Sequence, residues 1–319
     1  MLIYILFVIG FVLLIKGADL LVGGASSLAK RTGVSALMIG LTIVAFGTSM
    51  PELVVNLLAS VQGNTDIAIG NIVGSNIANI LLILGISAMI YPLAVQKGTV
   101  WKEIPFALLA VVVLMLMAND IVLDGATSSA LTKIDGLVFL GFFVIFLYYV
   151  FGIAKNGGEN EEGEAVEVFS LGRSFAMILA GLVGLVIGGK WIVDGAVAFA
   201  SSMGVSEALI GLTVVAVGTS LPELATSAVA AYKRNVDIAI GNVVGSNIFN
   251  IFWILGISSI IKPLPFAPAL NFDLVAVVLV TTLLFLALFV GKRHVLERWQ
   301  GGAFVAMYVA YTIFLIMRG

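Results

Sequence analysis

Glu52 and Glu223 stand inside long apolar stretches of a 319-residue chain that is 61% hydrophobic and only 11% charged. An isolated charge at membrane depth costs at least about 2.5–3.5 kcal/mol on insertion scales. Two equivalent carboxylates in equivalent settings therefore imply a cation between them or protons on them. Each ends a G-T-S-x-P-E motif, GTSMPE at 47–52 and GTSLPE at 218–223. Pro51 has no N–H to donate to the carbonyl of Gly47, and its ring pushes that carbonyl aside; Pro222 does the same to Gly218. The helix must break or kink there, and freed backbone oxygens are tolerated at membrane depth only where they line a cavity or bind something.

More oxygen lies on the same faces. Thr48 is four residues before Glu52, and Thr219 four before Glu223, so each pair shares a helix face. Ser49 and Ser220 are adjacent to the threonines. In the following segments Asn71, Ser75 and Asn79 form an i, i+4, i+8 stripe, mirrored by Asn242, Ser246 and Asn250. Asn76 and Asn247 lie just off that line. For Asn71, Asn76, Asn242 and Asn247, hydrogen bonding between helices is an equal alternative to a place in the site. The set offers carboxylates, hydroxyls, amides and carbonyls but no soft donor, which suits a hard cation. Calcium accepts six to eight oxygens in loose geometry, whereas magnesium demands a tight octahedron and keeps its water. Sodium is close to calcium in size and also favours oxygen. Two glutamates neutralise one Ca²⁺, and several Na⁺ can occupy the same oxygens instead.

Other residue types narrow the chemistry. The chain has no cysteine and one histidine, His294 in a charged stretch, which argues against thiolate metal sites, thiol nucleophiles and catalytic triads. The net charge of −2 argues against a nucleic-acid partner. Lys16 with Asp19, and Lys190 with Asp194, read as ion pairs or snorkelling groups near a water boundary. Asp66 and Asp237, which open the two DIAIGN segments, read as helix N-caps. Gly70/Gly74 and Gly241/Gly245 have the small-xxx-small spacing of close helix packing.

The elements that position these residues are membrane helices. With a mean hydropathy of +1.17, the chain is an all-α polytopic membrane protein. A spanning helix needs about 20 apolar residues, and ten segments qualify: 1–24, 36–60, 67–91, 104–123, 134–154, 174–200, 208–231, 237–261, 273–290 and 302–317. The first lacks the basic start and cleavage pattern of a signal peptide, so it is read as a span. The apolar runs are continuous and too long for barrel strands. With the N-terminus outside, the inner loops hold Lys30, Arg31, Lys97, Lys102, Lys155, Arg173, Lys233, Arg234, Lys292, Arg293 and Arg298, and the outer segments only Lys133, Lys262 and Arg318. That bias sets the orientation. The glutamate-rich stretch 155–173 then lies inside, as a solvated linker between 1–154 and 174–319.

The halves are copies. Residues 40–85 align without a gap on 211–256 at an offset of 171, with 29 identities in 46 positions. An odd number of spans separates them, so they cross in opposite directions. The loop charges agree: Lys30 and Arg31 precede the first copy and Ser201–Met203 the second, while Gln62–Gly63 becomes Lys233–Arg234. The expected fold is ten transmembrane helices in two inverted five-helix repeats, an arrangement that holds substrate near the midplane in secondary transporters.

GTSMPE and GTSLPE, each followed by GNxVGSN, resemble the two alpha repeats of the sodium/calcium exchanger family of calcium/cation antiporters, in its short prokaryotic form. The resemblance covers nearly the whole chain. It implies one central calcium site alternating with sodium sites. Glu52 and Glu223 would ligate calcium with the backbone carbonyls of Thr48 and Thr219. Sodium sites would draw on Ala45, Ser49, Ser75, Ala216, Ser220 and Ser246 together with the threonines and glutamates, and Asn79 and Asn250 would fill the remaining central positions. Many family members carry aspartate where this chain has Asn250, so its cavity has one fewer possible negative charge. The resemblance also implies that spans one and six slide against the other eight.

The function so implied is an electrogenic antiporter of the cell (inner) membrane, exchanging about three Na⁺ for one Ca²⁺. The expected partners are the two ions and the lipid bilayer, with no cofactor and no obligatory protein partner. Rival readings are a Ca²⁺/H⁺ antiporter, since membrane glutamates can carry protons, a cation channel with acidic lining groups, and an intramembrane hydrolase, which no His, Cys or metal-binding signature supports.

Overall fold

In a bilayer every backbone N–H and C=O must be paired within the protein, so apolar runs of this length fold as helices. The computed structural model describes residues 2–63, 65–154, 167–203 and 216–318. Among these residues, eight helices are long and apolar enough to span: α1 (Leu2–Thr32), α4 (Ala68–Ile90), α5 (Lys97–Met117), α6 (Lys133–Gly152), α7 (Leu171–Ser202), α10 (Val236–Ile261), α11 (Pro268–Ala287) and α12 (Arg298–Arg318). The pair α2 (Ala36–Thr48) and α3 (Met50–Gln62) is together long and apolar enough for a ninth span, bent by 45° at the break between them. Its counterpart in the second half is described only from Ala216. There α8 (Ala216–Thr219) is followed by α9 (Leu221–Tyr232), and most of the front part of the expected span 208–231 lies outside the described residues.

Several boundaries differ from expectation. The segment expected at 104–123 is helical from Lys97 to Met117, with a separate short helix at Asp120–Asp124. Hydropathy hides the early start because Lys97, Lys102 and Glu103 are charged. Glu103 is nevertheless buried, and the Tyr149 hydroxyl of α6 donates to it. Helices α1 and α7 run beyond the apolar stretches 1–24 and 174–200, ending in polar turns with Lys30, Arg31 and Thr32 in one case and Ser201 and Ser202 in the other.

Helices α4 and α10 form the centre. In each, 78% of the apolar window is buried inside the protein, against 17–44% for the other long helices. The outer helices turn residues such as Val8, Val144, Tyr148 and Leu279 outward, as a lipid-facing surface requires. The central helices also share a local irregularity. Each contains a π-helical stretch, Asn79–Leu84 in α4 and Phe249–Leu255 in α10, and a third lies at Gly40–Val44 in α2. Such wide turns recur at functional sites. Around the one in α10, Phe252 stacks on Phe142 at 5.3 Å and meets Phe106 edge-on at 5.7 Å, fixing its rotation.

The two long helices α1 and α7 pack through a seam of small residues at heptad intervals. A Cβ on Gly10 would lie 2.9 Å from the carbonyl oxygen of Gly188; on Gly17, 2.8 Å from that of Gly181; on Gly24, 2.8 Å from that of Ser174. As one number rises the other falls, so these equivalent helices run antiparallel. Helices α4 and α10 have the same sense, with Asn76 beside Asn250 and Asn79 beside Asn247.

Contacts between the halves are reciprocal at the periphery as well. Strand β1 (Leu93–Ala94), just after α4, pairs antiparallel with β4 (Val295–Leu296), just before α12. Strand β3 (Leu264–Pro265), just after α10, pairs with β2 (Ala130–Leu131), just before α6. Each half therefore closes its loops on the other.

The expected Gly241/Gly245 packing is present. A Cβ on Gly241 would sit 2.8 Å from the carbonyl oxygen of Leu37, and one on Gly245 would sit 2.7 Å from the Cβ of Ala45. A Cβ on Gly70 or Gly74 would meet nothing within 4 Å among the described residues; the stretch equivalent to 37–45 at the offset of 171 lies almost entirely outside them.

Candidate functional site

Both proline motifs break their helices where the sequence placed the break. Ser49, with φ −81° and ψ 8°, separates α2 from α3, and Ser220, with φ −86° and ψ 6°, separates α8 from α9. Proline stands near the start of each new helix, where its missing N–H costs nothing. The break therefore creates a fresh helix N-terminus at membrane depth, with Glu52 in the first turn of α3 and Glu223 in the first turn of α9. Unpaired N–H groups and the helix dipole favour a carboxylate there.

The glutamates converge. Each is only 1% exposed. Ser49 Oγ donates to Glu223 Oε1 at 3.0 Å, and Ser220 Oγ donates to Glu52 Oε1 at 3.3 Å. Each motif's serine thus serves the other motif's acid. Ser246 Oγ reaches Glu223 Oε1 at 3.4 Å, and Ser220 Oγ lies 3.3 Å from Ser75 Oγ. Six of the expected site residues thus form two hydrogen-bonded groups, Ser49–Glu223–Ser246 and Ser75–Ser220–Glu52, each drawing on both halves.

The threonines sit beside it. Thr48 Oγ1 donates to Asn242 Oδ1 at 2.9 Å, and Thr219 Oγ1 to Asn71 Oδ1 at 3.4 Å. Asn242 also donates to the carbonyl oxygen of Glu223 at 3.3 Å and to Ser227 Oγ at 2.9 Å, fixing the first turn of α9. For Asn242, hydrogen bonding between helices and service to the site are the same act. Ala45 is buried, and its carbonyl oxygen accepts from the Ser49 N–H at 3.0 Å and from Thr48 Oγ1 at 3.3 Å. Ala216 opens α8, but its side chain lies outside the described residues.

Asn79 and Asn250 bond across the centre. Asn79 Nδ2 donates to Asn247 Oδ1, and Asn250 Nδ2 to Asn76 Oδ1, both at 2.9 Å. Asn76 Nδ2 in turn donates to the carbonyl oxygen of Asn247 at 3.3 Å. Among the candidate site residues, four buried oxygens are left without a hydrogen-bond partner, Glu52 Oε2, Glu223 Oε2, Asn79 Oδ1 and Asn250 Oδ1, and so is one donor, Asn71 Nδ2; elsewhere Ser87, Thr99, Glu103 and Thr226 each leave an oxygen unpartnered. The four site oxygens belong to the predicted set, and all four are acceptors. An unsatisfied buried acceptor costs about 1–3 kcal/mol, and more when charged. A cation satisfies such oxygens together, whereas a neutral hydrogen-bond donor satisfies them one at a time. Among the described residues no three His, Cys, Asp or Glu side chains cluster. Any ion held here must therefore take most of its ligands from neutral oxygen, as calcium and sodium do.

Several charged residues fall elsewhere. Lys190 bonds Asp194 at 2.7 Å, as expected, on an exposed face of α7. Asp19 pairs with Lys233, just after α9, at 2.5 Å, which the helix spacing with Lys16 did not suggest. Asp237 is not an N-cap. Asn235 holds that position, and Asp237 Oδ2 accepts from Gln96 Nε2 at 2.6 Å. The side chain of Asp66 lies outside the described residues. Asp273, passed over in the sequence, is nearly buried and accepts from Tyr311 at 2.8 Å and Arg318 at 3.0 Å. Its partners come 38 and 45 residues later, beyond any local signal.

Comparison with known proteins gives a consistent answer. The family model described as sodium/calcium exchanger protein matches residues 2–152 and 173–317. The putative antiporter CaxA of Alkalimonas amylolytica is 38% identical over 99% of both chains. The sodium/calcium exchanger MaX1 of Methanosarcina acetivorans is 35% identical over 98% of both. Among solved structures, the sodium-calcium exchanger NCX_Mj soaked without Na⁺ and Ca²⁺ superposes with a TM-score of 0.83 at 36% identity, covering 98% of this chain and 99% of that one.

Proposed function

The chain belongs to the sodium/calcium exchanger protein family, and from that premise we propose that it is a secondary antiporter exchanging Ca²⁺ for Na⁺ at the Glu52–Glu223 site. The observation that carries this reading is the set of four unpartnered buried oxygens, two from each half, beside the crossed Ser49–Glu223 and Ser220–Glu52 bonds. Thr48, Thr219, Ser49, Ser220, Ser75, Ser246, Ala45 and Ala216 complete the oxygen lining.

Two carboxylates neutralise one Ca²⁺. Without an ion they are like charges in a dry interior, each costing at least about 2.5–3.5 kcal/mol. The site therefore crosses between its two openings only when filled, by one dication or by several monovalent ions. That requirement couples the two fluxes. With about three Na⁺ against one Ca²⁺ the cycle moves one net charge, and the sodium gradient drives calcium out of the cell.

Ten spans in two inverted halves, 1–154 and 174–319, are the architecture that fits this cycle. The antiparallel sense of α1 with α7 and of α4 with α10 supports it, as does the exchange of strands between halves. In this reading the N-terminus is outside and the 155–173 linker inside. The glycine seam holds α1 and α7 as one body that shifts against the rest.

The test is calcium uptake into proteoliposomes loaded with sodium. Wild-type protein takes up Ca²⁺ in proportion to the outward Na⁺ gradient, and Glu52→Gln or Glu223→Gln takes up none. Uptake that follows a proton gradient and ignores sodium contradicts the choice of counter-ion. Uptake that needs no counter-ion gradient contradicts antiport.

A further inference from the structure

Asn79 and Asn250 each present a choice that a carboxylate does not. A primary amide has an acceptor face, its oxygen, and a donor face, its NH₂ group. Turned one way it is a ligand for a cation; turned the other way it repels one. In the interior of this protein both amides are turned the same way. Their NH₂ groups are spent on Asn247 Oδ1 and Asn76 Oδ1 at 2.9 Å, and both Oδ1 atoms are buried without a partner.

We propose that Asn76 and Asn247 are positioning residues that lock Asn250 and Asn79 with their oxygens toward the ion chamber. This rests on the exchange reading and adds to it how two of its neutral ligands are held with their acceptor face presented. Three features carry the inference. All four amides are at most 4% exposed, so water cannot take over the role of the partner. The arrangement is reciprocal, since Asn76 and Asn247 are equivalent under the offset of 171, as are Asn79 and Asn250. And Asn76 is itself held, by donation to the carbonyl oxygen of Asn247 at 3.3 Å, which leaves its Oδ1 free to accept from Asn250.

The lock also explains a pattern in the sequence. The G-S-N-I-x-N stretch at 74–79 recurs at 245–250, with both asparagines kept in each copy. The second asparagine supplies the oxygen. The first lies three residues earlier, about 60° round the helix from it, just off the site stripe, and reaches the opposite central helix. Because the bonds run between α4 and α10, each half sets the orientation of the other half's ligand.

Removing an orienting partner of a metal ligand typically costs 10–100-fold in affinity. Sodium-driven uptake in proteoliposomes, measured against Ca²⁺ concentration, is the test. Asn76→Ala is expected to raise the KM for Ca²⁺ about tenfold, with a smaller change in maximal rate. Asn250→Ala raises it similarly. Once Asn250 is gone there is no amide left to orient, so Asn76→Ala in the Asn250→Ala background changes KM no further. Multiplying losses in the double variant, or a wild-type KM for Asn76→Ala, overturns the proposal. If Asn76→Ala does not reconstitute as folded protein, Asn247→Ala with Asn79→Ala is the mirror cycle, with the same expected and contrary results. Glu52→Gln is run alongside. Full exchange by that variant overturns the site reading itself. Exchange that depends on Glu52 but is indifferent to Asn76 overturns only the lock.

Discussion

A buried carboxylate that keeps one oxygen unpartnered is costly, and Glu52 and Glu223 do so together. In the proposed exchange, that cost is met by the charge that arrives with the ion. Glu52→Gln preserves shape but removes that charge, and it should remove Ca²⁺ binding, read by calorimetry on purified protein. The serines make a finer point. Ser49 donates to Glu223 and Ser220 to Glu52, so Ser49→Ala should mimic a partial loss of Glu223 rather than of its own neighbour. A hydrogen bond to a charged group is worth about 1.5–3 kcal/mol, so either serine variant should weaken calcium binding at least about tenfold. Combining Ser49→Ala with Glu223→Gln should add little, and a fully multiplicative loss would break the crossed assignment. The residues of the site were legible because glutamate, asparagine and hydroxyls are rare at membrane depth and recur here at one offset. The crossing was not legible, since spacing along a chain reports only what shares a helix face.

The elements that hold the site are a broken helix and a straight one from each half. The breaks followed from Pro51 and Pro222, because the chemistry of proline is local. The π-helical stretches beginning at Asn79 and Phe249 did not, because no local residue type marks a wide turn as proline marks a break. The long pair α1 and α7 depends on its glycine seam. A Cβ on Gly17 would meet backbone atoms of Gly181 and Leu185 at 2.8 Å. Backbone cannot yield as a side chain can, so Gly17→Leu should separate the helices and abolish exchange while α4 and α10 stay folded. Trypsin resistance of the core with loss of sodium-driven uptake would show this; normal uptake would contradict it. At the periphery, Tyr149→Phe leaves Glu103 buried without its donor. A destabilisation of about 1–3 kcal/mol is expected, seen as a lower melting temperature in detergent, with transport of the surviving folded protein unchanged.

For the whole molecule, the duplication was the strongest signal in the sequence, because 29 identities in 46 ungapped positions need no structure to be seen. Which surfaces of the copies meet was not visible. The pairing of β1 with β4 and of β2 with β3 joins segments more than 130 residues apart through their backbones, which carry no side-chain pattern. Orientation rests on the loop charges, and it can be checked simply because the chain has no cysteine. A single cysteine at Asn160 should react with a membrane-impermeant maleimide only from the cytoplasmic side of oriented vesicles, and labelling from outside would reverse the topology. The central claim is that two mirrored glutamates form one chamber which Ca²⁺ and Na⁺ cannot share. It is tested most directly by titrating purified protein with Ca²⁺ at rising Na⁺ and repeating the titration with Glu52→Gln and Glu223→Gln. The account predicts that sodium displaces calcium competitively and that each glutamine variant loses calcium binding. Calcium binding that ignores sodium, or that survives in either variant, would contradict it.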